Sequence, residues 1–78
     1  MKNTYIYLDK GALVKDFVDT IQKLDGKFEL ISGYTVINAK SILGIYSLDL
    51  SLPVLLKIEK DTQHNIDMLK PFFVSQFM

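Results

Sequence analysis

The chain has no cysteine, and this absence excludes both a disulfide framework and a thiolate metal site. It also has no excess of charge, because nine basic residues stand against nine acidic ones. No basic block is present, so binding to nucleic acid through phosphate contacts is not expected. No apolar run approaches the roughly 20 residues of a membrane span, and the N-terminus lacks the layout of a signal peptide. The sequence therefore predicts a cytoplasmic protein that binds neither nucleic acid nor membrane.

The short motifs of common active sites are also missing. The chain has no G-x-G-x-x-G, no P-loop and no paired nucleophile and base. Asp9, Asp16 and Asp19 are expected at a helix start and on its solvated face, not in a metal site. Glu59, Asp61 and His64 could reach one cation in principle, but their spacing fits no metal-ligand pattern. We therefore predict no metal site and no cofactor.

Length and composition indicate one packed domain over residues 1–78. Hydrophobic residues make up 49% of the chain, which is enough for an ordinary core. A domain of this size hides only about 60–65% of its unfolded surface. Almost every apolar side chain is therefore needed in the core.

The clearest periodicity predicts a helix over residues 12–24. Apolar residues recur there at spacings of three and four, which places them along one helix face: Leu13, Val14, Phe17, Val18, Ile21 and Leu24. Asp9 precedes this segment, and its side-chain oxygen is expected to cap the free N–H groups of the helix.

The other elements are shorter. Runs of β-branched and aromatic residues predict strands at 4–8, 28–31, 34–37 and 54–59. A two-residue turn at Ser32–Gly33 joins the second and third strands into an antiparallel hairpin. A second helix is expected over 41–46, and a third that carries Ile66, Leu69 and Phe73 and kinks or ends near Pro71. Residues 74–78 are apolar without a pattern. The order β-α-β-β-α-β-α predicts an α+β domain with helices on one face of an antiparallel sheet.

One segment resembles a known family. Residues 36–48 read V-I-N-A-K-S-I-L-G-I-Y-S-L. They resemble the N-x-K-S-I-M-G-x-x-S-L segment of HPr, the small phosphocarrier of the bacterial sugar phosphotransferase system. Gly33 stands where family members have the glycine of a hairpin turn, and the resemblance runs from about Phe28 to Phe73. It implies an HPr-like open-faced β-sandwich, with a four-stranded antiparallel sheet and three helices on one face.

The N-terminal third departs from that pattern. HPr proteins carry a glycine-(Leu/Ile)-His-x-Arg-Pro motif before the first helix, and its histidine accepts a phosphoryl group from enzyme I. Counted back from Ser41 without gaps, the histidine position holds Lys10, and the arginine and proline positions hold Ala12 and Leu13. A protonated lysine has no lone pair to accept a phosphoryl group. The bidentate grip of an arginine on phosphate is lost as well.

The one histidine of the chain lies elsewhere. His64 falls near the start of the last predicted helix. We interpret it as a solvated residue at a helix N-terminus, and a relocated phosphoryl acceptor is the alternative. We therefore assign no catalytic residue, and the resemblance to phosphoryl carriers whose histidine motif is absent here implies that the chain is not an enzyme.

Ser41 has two compatible interpretations. It directly precedes a helix, so its hydroxyl is expected to act as an N-cap that stabilises the helix by about 1 kcal/mol. The resemblance implies a second role, because the matching serine of many HPr proteins is phosphorylated by a regulatory kinase. A helix N-terminus offers N–H donors and a positive dipole end to such a phosphate. Ser41 is therefore a candidate regulatory phosphorylation site.

The short helix is expected to divide its apolar residues between two faces. By periodicity Ile42 and Ile45 point inward, while Leu43 and Tyr46 share the exposed face. The alternative is that all four belong to the core. In the family, the residues that match Leu43 and Tyr46 form the docking patch for enzyme I, the serine kinase and a transcriptional regulator. Leu43 and Tyr46 are therefore partner-docking candidates.

These observations lead to a hypothesis about function. The chain is expected to be a regulatory or protein-binding module related to the phosphotransferase system, without the histidine relay and with Ser41 as a possible switch. One alternative is an active phosphocarrier that uses an unrecognised acceptor. The other is a scaffold domain in which Ser41 is only a cap.

Overall fold

The computed structural model describes residues 1–74 of the chain. The elements are β1 (Lys2–Ile6), a 3₁₀ turn (Asp9–Gly11), α1 (Val14–Ile21), β2 (Phe28–Ser32), β3 (Thr35–Asn38), α2 (Ile42–Tyr46), β4 (Val54–Ile58), α3 (Gln63–Leu69) and a 3₁₀ turn (Lys70–Phe72). The predicted order of strands and helices is confirmed, and the strand bounds move by one or two residues. In the described part of the chain, each helix falls short of the length and apolar character that a membrane span requires.

The four strands form one antiparallel sheet in the order β1-β4-β2-β3. Strand β4 lies between β1 and β2 and pairs with both, with Leu56 opposite Thr4 on one side and Leu30 on the other. The hairpin turn consists of Gly33 and Tyr34, one residue later than predicted, and Gly33 has the positive φ of 60° that a glycine adopts easily. Because of this strand order, each crossover helix joins two parallel strands that have a third strand between them.

One face of the sheet is covered by the helices. Alternate residues of β4 are buried, so one side of each strand faces the core. Helix α1 packs against both α2 and α3, which places the three helices in one layer. The largest fully buried side chains come from both layers and include Phe17, Phe28, Ile6, Leu8, Ile21, Leu30 and Ile45. This α+β arrangement confirms the predicted open-faced sandwich.

The first helix is shorter than predicted, although its apolar stripe is correct. Val14, Phe17 and Ile21 are fully buried, and Leu24 remains buried beyond the end of α1. The last turn tightens, because the N–H groups of Lys23 and Leu24 donate to carbonyls three residues back.

The assignment of Phe73 to the last helix is wrong. Pro71 ends the helix in a 3₁₀ turn, and the chain then runs extended along the outer edge of β1. Phe73 forms an antiparallel bridge with Ile6, while the N–H of Val74 donates to the Tyr5 carbonyl at 2.9 Å. The rings of Phe17 and Phe72 meet edge to face at 5.3 Å, which anchors this segment on α1. Residues 75–78 of the unpatterned tail lie outside the described residues.

One buried polar side chain ties three parts of the fold together. The Asn65 Nδ2 donates to the carbonyl of Asp25 after α1 at 3.1 Å and to the carbonyl of Lys60 after β4 at 2.9 Å. The Asn65 N–H donates to the Oγ1 of Thr62, the N-cap of α3. Because these carbonyls are partly shielded from water, each needs the amide donor.

We predict that Asn65→Ala lowers the free energy of unfolding by about 1–3 kcal/mol, because it leaves two carbonyls without their donor. Chemical denaturation followed by circular dichroism measures this loss. His64→Ala, at the exposed neighbouring position of the same helix, is the control and should change stability by less than about 0.5 kcal/mol. Equal effects of the two substitutions would contradict the assigned role of the Asn65 amide.

Candidate protein-docking site

Ser41 is the N-cap of α2, as predicted. Its backbone is extended, with φ −93° and ψ 101°, and the Gly44 N–H donates to its Oγ at 3.3 Å. At the other end, the Ser47 hydroxyl donates to the Gly44 carbonyl. The side chain of Ser41 is exposed, so its hydroxyl is accessible from solvent.

The segment before Ser41 is fixed to the end of α1. The Lys40 Nζ donates to the Leu24 carbonyl at 3.3 Å and lies 6.0 Å from the centre of the Phe28 ring. The Gln22 side chain donates to the Lys40 carbonyl at 3.2 Å. These contacts hold the start of α2 in place. Sequence reasoning missed them, because they join residues that no single periodicity relates.

The outer face of α2 is apolar and exposed. Leu43 is 82% exposed and Tyr46 54% exposed, as predicted, while Ile45 is fully buried. The prediction for Ile42 is wrong, because 40% of this side chain is exposed. Ile42 is the first residue of a short helix and lies one turn away from the buried Ile45, at the margin of the helix layer. We call Ile42, Leu43 and Tyr46 the α2 surface.

The loop before α1 has an unusual backbone. Asp9 and Lys10 have positive φ angles of 49° and 56°, and Gly11 follows with 102°. Only glycine adopts this left-handed region without cost, so the two preceding residues are strained by roughly 1–2 kcal/mol each. The prediction that Asp9 caps the first helix is therefore wrong. Leu13 precedes α1 instead, and its side chain makes no capping hydrogen bond.

The N–H groups of this loop are used inside the protein. Those of Gly11 and Leu13 donate to the Leu8 carbonyl at 2.9 and 3.2 Å. The N–H of Lys10 donates to the Leu50 carbonyl at 3.0 Å, and that of Ala12 to the Asp9 carbonyl at 3.0 Å. An anion at the loop would have to compete with these carbonyls for every one of the four donors. The loop around Lys10 is thus poorly suited to bind phosphate through its backbone.

The strained loop and the α2 surface lie side by side. A Cβ placed on Gly11 would lie 3.7 Å from the Tyr46 ring and 3.7 Å from a Leu50 methyl group. The Leu50 carbonyl belongs to a loop in which Asp49 accepts hydrogen bonds from the N–H and hydroxyl of Ser51. The pKa of Asp49 lies below its usual value, mainly because of the hydrogen bond from the Ser51 hydroxyl and secondly because of that from the Ser51 N–H.

Because Gly11 lies next to the Tyr46 ring, the fold brings Lys10 and Tyr46 to one end of the molecule.

His64 lies far from that end. It is exposed in the first turn of α3. Its neighbour Asn65 contacts Asp25, which follows the C-terminal end of α1, whereas Lys10 precedes the N-terminal end. His64 and Lys10 therefore lie toward opposite ends of α1.

The described residues contain no other grouping with obvious chemistry. Within residues 1–74, no three His, Asp or Glu side chains lie close enough together to hold a metal ion. A groove of about 500 Å³ beside the start of β4 is lined by mainly apolar residues that include Tyr7, Leu13, Pro53 and Phe73. Such a lining offers little to hold a charged substrate.

Comparison with solved structures identifies the fold. The crystal structure of HPr-C-His from Thermoanaerobacter tengcongensis matches with a TM-score of 0.74 and 29% sequence identity, over 91% of this chain and 89% of that chain. No known family profile matches the chain. No curated protein sequence matches it significantly either. The chain therefore has the HPr-like fold that the resemblance implied.

We predict that Lys10→Gly raises the free energy of unfolding by about 1 kcal/mol, because glycine adopts the left-handed backbone without strain. Thermal and urea unfolding measure the change. Lys15→Gly is the matched control, since Lys15 is helical and its replacement should lower stability by about 1 kcal/mol. A loss of stability in both variants would show that the backbone of Lys10 is not strained.

Proposed function

We propose that this protein is a regulatory, protein-binding module related to the phosphotransferase system, that it docks partners through the α2 surface, and that it does not relay phosphoryl groups through a histidine. The observation that carries the proposal is the exposure of Leu43 and Tyr46 beside an accessible N-capping serine, on an HPr-like fold. Its partners are proteins of the phosphotransferase or catabolite-control network: enzyme I, the serine kinase or a transcriptional regulator.

The α2 surface has the composition of a protein contact. A domain of 78 residues needs its apolar side chains in the core, yet three of the five residues of α2 are large, apolar and exposed. Tyrosine is enriched among the residues that dominate binding energy, because it combines a large contact area with a polar hydroxyl. The anchoring of the preceding segment by Lys40 means that α2 is held in one position before any partner binds.

Ser41 supplies the proposed switch. A phosphate on its Oγ would bring about two negative charges to the start of α2, where the Gly44 N–H already points at this oxygen. The phosphate would strengthen that capping bond and add charge directly beside Ile42 and the rest of the α2 surface. A partner that buries the surface would then have to desolvate the charge or pair it, so its affinity changes.

Three features support the absence of a histidine relay. The family histidine position aligns with Lys10, and the arginine position with Ala12. The N–H groups of the surrounding loop donate to internal carbonyls. His64, the one histidine, lies toward the other end of α1. An active carrier would need a different acceptor, and the assay below detects one.

We expect Tyr46→Ala to weaken binding to an HPr partner protein by more than about 1 kcal/mol, a factor of about five or more. Stability should change little, because the side chain is mostly exposed. Titration calorimetry measures the affinity and thermal unfolding the stability. Met68→Ala, an exposed apolar residue of α3, is the control and should bind normally. A loss of several kcal/mol of stability in Tyr46→Ala would instead place Tyr46 in the core.

Two phosphorylation assays separate the switch from the relay. With ATP and an HPr serine kinase, we expect acid-stable phosphate on the protein and on Ser47→Ala, but none on Ser41→Ala. With phosphoenolpyruvate and enzyme I, we expect no acid-labile phosphate. Acid-stable phosphate that persists in Ser41→Ala, or none on any variant, would leave Ser41 as a cap only. Acid-labile phosphate would show that the protein is an active carrier.

A further inference from the structure

The face of the sheet away from the helices carries two regular rows of side chains. They follow from the strand register, because residues directly opposite each other on neighbouring strands point to the same side. Across β1, β4, β2 and β3, the apolar row is Tyr5, Leu55, Ile31 and Val36. The polar row beside it is Asn3, Lys57, Glu29 and Asn38. We call these residues the open face.

The apolar row is accessible to a partner. Val36 is 55% exposed, and Ile31 and Leu55 are half-buried between their neighbours. The row crosses the whole width of the sheet without a polar interruption. A continuous apolar strip on an uncovered sheet face is the surface that packs against a second sheet in a β-sandwich.

The two charges of the open face do not pair with each other. Lys57 and Glu29 are neighbours in register, yet neither takes part in an ion pair or side-chain hydrogen bond among residues 1–74. Both are half-buried, so each is partly desolvated although the opposite charge on the next strand stays beyond ion-pair distance. Each is therefore available to an opposite charge from another molecule.

The polar row has the same pattern from either edge: amide, charge, opposite charge, amide. We propose that the open face binds a second copy of this chain, about a two-fold axis that runs parallel to the strands between β4 and β2. That axis places Lys57 over Glu29 of the second copy, and Glu29 over Lys57 of the second copy. It also places Leu55 over Ile31 of the second copy, and β1 over β3. Every contact of such an isologous interface occurs twice.

Other properties of the chain fit this occupant. The two sheets would stack with their strands aligned, about 10 Å apart, as in β-sandwiches. The net charge of zero means that two copies do not repel each other at long range. Because only two rows of four strands meet, the contact is smaller than a standard interface of about 1,600 Å², so the dimer is weak and reversible. The α2 surface stays free in this dimer, because it lies on the helix layer and the core separates it from the open face.

Sedimentation equilibrium between about 10 µM and 1 mM tests the proposal, because a small interface dissociates in this range. We expect a reversible monomer–dimer equilibrium. Leu55→Lys should raise the dissociation constant at least tenfold, while the matched control Leu43→Lys, on the α2 surface, should leave it unchanged. A monomer at all concentrations would overturn the proposal. A dimer that Leu55→Lys does not weaken would also overturn the proposal, because that result is expected if two copies pair through the β3 edge instead of the open face.

A charge exchange tests the register independently and leaves the apolar row intact. Lys57→Glu alone and Glu29→Lys alone should each be monomeric, because like charges then face each other in both contacts. An equimolar mixture of the two variants should form heterodimers, because each contact again joins a lysine to a glutamate. Circular dichroism confirms that each variant is folded. A mixture that stays monomeric would overturn the proposed axis.

Discussion

The apolar layer between the sheet and the helices covers one face of the sheet, and this one-sided burial decides which surfaces the molecule presents. Phe17, Phe28 and Leu30 share that layer with almost no exposed area. Among residues 1–74 the helices pack on this face alone, which leaves the opposite face of the sheet exposed within the described part of the chain. The outer sides of the helices are likewise left to solvent. The two proposed interaction surfaces, the α2 surface and the open face, lie on opposite sides of the same core.

Local patterns predicted the elements well. The spacing of Val14, Phe17 and Ile21 identifies α1, and the Ser41 cap of α2 follows from its position before an apolar run. Predictions failed where distant parts of the chain compete with a local preference. Asp9 does not cap α1, because the backbone at residues 9–11 is left-handed and N–H groups of this loop donate to the Leu8 and Leu50 carbonyls. The register of β4 against both neighbours, which creates the open face, is absent from any local pattern.

For the candidate site, the sequence predicts which side chains are exposed but not what surrounds them. Periodicity places Leu43 and Tyr46 on one exposed face of α2, and both are exposed. Their proximity to Gly11 depends on how α1 and α2 pack, which the sequence does not reveal. The strain at Lys10 is equally invisible in the sequence, because lysine does not favour that backbone. The fold therefore holds a costly loop conformation next to the α2 surface.

The pairing of β1 with β4 sets the order in which this chain can acquire its structure during synthesis. Lys2 lies opposite Ile58, so β1, which is synthesised first, has no neighbouring strand in the sheet until β4 has been synthesised. The β2–β3 hairpin closes early, because its two strands are adjacent in sequence. A nascent chain that ends before Val54 has the hairpin and the α1 sequence but nothing to join them to β1. The cooperative core forms only after residues 54–58 have left the ribosome.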